Sequence, residues 1–126
     1  RDGRFVMGSH RWIAALAIVV AVATGCGESY PPTAEGRYLA HCARCHEVDG
    51  SSITASELAE KTVSIRSPDF QDVATDRDIE NIILRGKGRM MAVTGLSDAE
   101  VDSIVLHVRR LGARYASTLD SLRGAD

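Results

Sequence analysis

Cys42-Ala43-Arg44-Cys45-His46 packs two thiols and an imidazole into five residues. Thiols three positions apart on a helical turn can reach the two vinyl groups of one porphyrin and close two thioethers. The imidazole directly after the second thiol then stands under the ring, where it can bind iron. The motif therefore reads as a c-type haem attachment site. Zinc ribbons and thioredoxin-like sites also use C-x-x-C. Zinc needs a second ligand pair, and no Cys follows Cys45. A redox dithiol of the thioredoxin kind needs a βαβ pattern, and none follows. The residues favour haem over both.

The segments around the motif have to position it. A helix from Thr33 or Ala34 to about Ala43 enters it directly, with Tyr38 four residues before Cys42 on the same helical face. Glu47 to Ser52, with Asp49-Gly50 and a Ser pair, reads as a loop. Thr54-x-x-Glu57 resembles a capping box and suggests a short helix to about Thr62. Ser67-Pro68 reads as a breaker. An acidic stretch from Asp69 to Glu80 follows, with Thr75 or Asp76 capping a helix that ends at Arg85. Ile79, Ile82 and Ile83 mark its buried side, and Gly86 stops it. Residues 86–95 form a loop that carries Met90 and Met91. Ser97-x-x-Glu100 is a second capping box, and Val101, Ile104, Val105, Val108 and Leu111 make an amphipathic stripe. Gly112 is the expected stop, leaving residues 113–126 as a frayed or weakly helical tail. With no period-2 alternation and no internal repeat, the fold class is all-α.

The 126 residues suffice for one small domain. With Met7 as the start and residues 1–6 as an upstream extension, Arg11 supplies a positive region and Trp12 to Thr24 an apolar run of 13 residues. Ala23-Thr24-Gly25 is a small-residue exit. That is the pattern of an export signal over residues 1–25, too short to span a bilayer core of ~30 Å as a helix. A buried core helix would carry polar residues at helical spacing, and this run has none before Thr24.

Ala23-Thr24-Gly25-Cys26 resembles a bacterial lipobox, with Ala where Leu is usual. Cleavage before Cys26 would leave a lipid-anchor thiol at the new N-terminus and hold the protein on the periplasmic side of a bacterial membrane. Ordinary cleavage nearby would instead leave an odd reactive thiol. Residues 26–32, ending in Pro31-Pro32, then form a short linker. Residues 1–25 carry Arg1, Arg4, Arg11 and Asp2, so 15 basic and 17 acidic residues fall to 12 and 16, a net charge of −4. No basic tract suggests nucleic acid.

The order of elements extends the argument. A helix entering C-x-x-C-H, a short helix, a Gly-ended helix, a Met-bearing loop and a final amphipathic helix together resemble the small mono-haem class I cytochromes c. Tyr38 to His46, Gly86 to Met91 and Leu96 to Leu111 carry the likeness, within a domain of residues 33–112. It implies about four to five short helices wrapped around one covalently bound haem c, with Cys42 and Cys45 as thioethers and His46 as one axial ligand. It also implies a Met as the other axial ligand. Met90 holds that position, and Met91, in place of the family's usual Pro, is the alternative. Ala34 stands where the family often has Gly, and His107 where the last helix usually has an aromatic, so Tyr38 and His107 are expected to touch. His41, beside Cys42, is expected to be structural.

The residues after Gly25 include no Trp to hold a propionate, and no Pro lies between His46 and Ser67 to orient the proximal His. Both roles stay unassigned at this level. The implied function is a one-electron carrier, with no bond chemistry of its own, between a redox donor and an acceptor. An open-site haem enzyme or gas sensor, and the haem c subunit of a larger oxidoreductase complex, are the alternatives. Arg85, Lys87 and Arg89 form a small basic run before the Met loop, suited either to steering a partner or only to solvation.

Overall fold

In the computed structural model, residues 29–52 and 62–125 are described. Five helices lie among them: α1 (Ala34–His41), α2 (Ala43–His46), α3 (Pro68–Gln71), α4 (Asp76–Arg85) and α5 (Asp98–Arg123). The only bridge of the β type among these residues is an isolated one, Lys87 with Met90. The expected helix over Thr54 to Thr62, the export signal and Cys26 lie outside the described residues, apart from Thr62 itself. Among the described residues, no helix is long and apolar enough to cross a membrane.

Local chemistry starts each helix. Thr33 Oγ1 accepts from the Gly36 N–H at 3.0 Å and caps α1. Thr75 and Asp78 form a reciprocal capping box at the start of α4. At α5 the Ser97 N–H and hydroxyl both donate to the Glu100 carboxylate, at 2.9 and 2.8 Å. Ser67-Pro68, read from the sequence as a breaker, instead starts α3. Pro68 is at its first position, where a missing N–H costs nothing.

Helix α5 is the element the others pack on: α1, α3 and α4 all lie against it. Its stripe Val101, Ile104, Val105, Val108 and Leu111 is buried and meets Tyr38 and Cys42 from the first helices, Ile65, and Ile79 and Ile83 from α4. Ile82, expected beside them, is only half-buried and faces elsewhere.

The stop expected at Gly112 does not occur, and α5 runs on to Arg123. The glycine serves packing. A Cβ on Gly112 would fall on the Gln71 side chain, so this position lets α3 sit directly against the helix. Gln71 Nε2 then donates to the carbonyls of Ile65, at 2.5 Å, and Val108, at 3.2 Å. One turn earlier, Arg109 donates to Gln71 O (3.0 Å), Gln71 Oε1 (2.9 Å), Ala74 O (2.6 Å) and Asp76 Oδ1 (2.7 Å). A single guanidinium thus ties α3, the α3–α4 turn and the start of α4 to α5. Farther along α5, Tyr115 lies under the Arg66 guanidinium, 4.6 Å from it.

Arg109→Met keeps the aliphatic stem but leaves two backbone carbonyls without their donor. It is expected to destabilise the fold by about 2 kcal/mol, read by urea unfolding. Arg37 of α1 also reaches Glu100 of α5, at 3.2 Å. The Ser97 backbone N–H and hydroxyl, with Arg37 after them, hold the Glu100 carboxyl down at about 2 against an ordinary 4.5. A depressed carboxyl stabilises above its unfolded value, and that contribution is lost as pH falls through the folded one. Glu100→Gln should therefore melt below the parent at pH 7, with the gap closing between pH 4.5 and 2.

Candidate haem site

Helix α1 gives way to the motif at Cys42, whose N–H still donates to Tyr38 O at 2.8 Å. The N–H groups of Cys45 and His46 turn back to Cys42 O, at 3.1 and 3.0 Å. This one tight turn is what α2 consists of, and Glu47 ends it at φ 56°. Tyr38 fixes the turn from below. Its side chain is fully buried, its ring lies 4.8 Å from that of His107, and its hydroxyl donates to Glu47 O at 2.8 Å. The contact between Tyr38 and His107 that the family resemblance implies is present. His41 is exposed.

The two thiols differ. Cys42 is buried in the core cluster and Cys45 is exposed; neither is in a disulfide. Burial, with the neighbouring Cys45 second, pushes the Cys42 thiol up to about 12. It therefore stays protonated. Burial also lowers the His46 imidazole, while the Val63 backbone against the ring pulls the other way. The outcome is a neutral imidazole, the form that can bind a metal. His46 Nδ1 is enclosed and makes no hydrogen bond of ordinary geometry among the described residues. Val63 reaches the ring because Ser64 Oγ and the Arg66 N–H both bond to Gly50 O, each at 3.4 Å, and Arg66 pairs with Asp49.

The Met loop is built by its first glycine. Gly86 has φ 74°, and a Cβ there would strike the carbonyl of Met90. Lys87 and Met90 exchange two backbone bonds of 3.0 Å across a tight turn, and the Val93 N–H donates to Ile83 O at 2.8 Å. The loop is thereby folded back on the end of α4. Met90 is half-buried and Met91 is 84 % exposed.

A cleft of about 600 Å³ opens between residues 63–74 on one wall and α4 with Gly86 and Lys87 on the other. Val63, Phe70, Val73, Ala74 and Ile82 give it an apolar lining, and Asp69, Asp78, Arg85 and Lys87 are charged groups at its walls. The motif side chains and Met90 are not themselves in this lining. Two lining residues neighbour them: the Val63 backbone lies against His46, and Lys87 is bonded through its backbone to Met90. Ile82 faces this space rather than the core, which explains its partial exposure.

These residues fit a porphyrin better than a bare ion. Among the described residues, no group of three or more His, Cys, Asp or Glu side chains could hold a metal. A porphyrin brings four nitrogen donors of its own and asks the protein only for attachment and axial ligands. Two free thiols, a neutral enclosed imidazole and an apolar cleft are what that requires. Sequence reading missed the roles of Val63, Gln71 and Arg109. Val63 sits in an irregular segment with no periodic signal. Arg109 falls on the polar side of the α5 stripe, where an arginine ordinarily faces solvent.

Three comparisons bear on this arrangement. The family described as "Cytochrome C oxidase, cbb3-type, subunit III" matches residues 31–108. Among solved structures, the "KustC0563 c-type cytochrome" superposes with a TM-score of 0.55 at 29% identity, over 63% of this chain and 96% of that one. No curated protein matches significantly. A family match across more than half of the chain, an all-α fold and a C-x-x-C-H turn beside an apolar cleft agree, and covalently bound haem c is the cofactor they imply. The chain belongs to the family of cytochrome c oxidase, cbb3-type, subunit III, and is a c-type cytochrome.

Proposed function

We propose that this protein is a single-haem, one-electron carrier held on the periplasmic side of a bacterial membrane by lipid on Cys26. In this reading Cys42 and Cys45 form the thioethers, and His46 and Met90 are the axial ligands. The observation that carries it is the apolar cleft whose lining includes Val63, the neighbour of His46, and Lys87, which is bonded through its backbone to Met90. When bound, haem c supplies an Fe(III)/Fe(II) couple. The chain's own groups set the conditions for that couple. The neutral imidazole of His46 and the soft thioether of Met90 would hold the iron and leave no position open to a substrate. The thioether favours the ferrous form and raises the potential relative to a second imidazole. Phe70, Val73 and Ile82 give the cleft an apolar wall against which a porphyrin face can pack.

Met90 is favoured over Met91 because its N–H and carbonyl are both bonded to Lys87, and its carbonyl packs close against Gly86, so its position is fixed by the loop. The partners in this reading are a redox donor and an acceptor that meet the face bearing the Met loop. A second reading, the haem c subunit of an oxidoreductase complex, is favoured by the family's own description and by α5 continuing beyond the matched residues to Arg123.

Cys42→Ser with Cys45→Ser is expected to yield protein without covalent haem and with little stable helix, read by haem staining of a denaturing gel and by circular dichroism. A helical, haem-free double variant would count against the whole reading. The two methionines separate spectroscopically. Met90→Ala should lose the weak near-infrared Met–Fe band and Met91→Ala should keep it. The opposite result would move the ligand to Met91, and loss in neither would remove methionine ligation.

A further inference from the structure

The three cations before the Met loop do not share one environment. Arg85 and Lys87 line the cleft, whereas Arg89 stands outside it in the turn between Lys87 and Met90. Arg85 sits on the last turn of α4, on the same face as Ile82 and Asn81, which also line the cleft. Arg85 makes no ion pair or side-chain hydrogen bond among the described residues. Lys87 likewise makes none, though its charge is felt at Asp78.

A haem carries two carboxylates, and a carboxylate brought against an apolar wall without a counter-charge is costly. The residues after Gly25 hold no Trp to take one by hydrogen bond. Neither acidic group at the cleft makes an ion pair with these cations. Asp78 is turned back on the helix start, where its carboxylate accepts from the Thr75 N–H (2.9 Å) and hydroxyl (2.6 Å). Asp69 belongs to the facing wall, in the first turn of α3. Free positive charge in the cleft is therefore concentrated at the C-terminal end of α4, beside apolar Ile82.

We propose that Arg85 and Lys87 are the counter-cations of the haem propionates, leaving Arg89 as the solvent-facing member of the run. Arg85 is the principal partner, because its planar fork matches a carboxylate with two parallel bonds. Lys87 contributes less, since Asp78 already shares its field. The assignment rests on the function proposed above and deepens it: a propionate neutralised here makes the haem site more positive, which disfavours the ferric form.

The test is the reduction potential of purified, haem-loaded protein at pH 7 and low salt, by spectroelectrochemistry, for Arg85→Gln, Lys87→Gln and Arg89→Gln. The potential should fall in Arg85→Gln, fall by less in Lys87→Gln and stay at the parent value in Arg89→Gln. Arg85→Lys should recover most of the loss, since it restores the charge without the fork. All four variants should keep the Met–Fe band and the parent's helix content. Equal potentials across the series would overturn the assignment while the carrier function stands, as would slower electron transfer at unchanged potential, which is the signature of partner steering. A parent chain without covalent haem would overturn both.

Discussion

Tyr38 is the point on which the site depends. It is one of two side chains in the described core with no measurable exposure, and it is buried at the place where α1 meets α5. Two different effects meet in it. Its ring, packed on His107 and the α5 stripe, supplies most of the energy, since truncating a buried aromatic ordinarily costs about 3–5 kcal/mol. Its hydroxyl bond to Glu47 O is worth only about 1 kcal/mol. The bond nonetheless decides geometry, because Glu47 directly follows His46 and carries the left-handed backbone that ends the motif. Burial holds the helices together, and the hydroxyl sets where the C-x-x-C-H turn stops.

That division explains the asymmetry between the two thiols. Cys42 belongs to the helix that Tyr38 anchors and shares its apolar surroundings, so it is enclosed and kept protonated. Cys45 is exposed, and the ring of His46 meets the backbone of Val63. A turn with one end in the core and the other at a cleft can fasten a large apolar group without itself becoming mobile. The α1–α5 crossing is thus both the stability centre and the ruler for the site.

Much of this was legible from residue types alone. The motif, Thr75 and Ser97 as helix starts, Gly86 as a stop and the α5 stripe follow from local chemistry or period, and the Tyr38–His107 contact follows from the resemblance to class I cytochromes c. The misreadings share one cause. Gly112 and Ser67-Pro68 were read by their backbone preferences, as a stop and a breaker, and both were overridden by tertiary contact. Gly112 stays helical because Gln71 occupies the space its side chain would fill, and Pro68 begins a helix whose last residue is that same Gln71. A single-chain pattern cannot show that residues 71 and 112 meet. Ile82 failed for the complementary reason: it has the period of a core residue but turns to the cleft, a surface that exists only once residues 63–74 are in place.

The wall opposite α4 therefore needs its own support, and Arg109 provides it. Residues 63–74 contain one short turn of helix and little buried apolar area of their own: Ile65 is buried, Phe70 half-buried, and Val63 and Val73 are exposed at the cleft. Hydrophobic burial alone would leave such a segment loosely placed. Four bonds from one guanidinium, with Gln71 bridging Ile65 and Val108, give it a fixed distance from α5. Because α4 is set against the same helix through Ile79 and Ile83, both walls of the cleft are referenced to α5. The width of the cleft is then governed by a polar clamp on one side and an apolar stripe on the other. For the carrier role proposed above, that arrangement holds the site alike in both oxidation states, since both walls are fixed to the one helix α5.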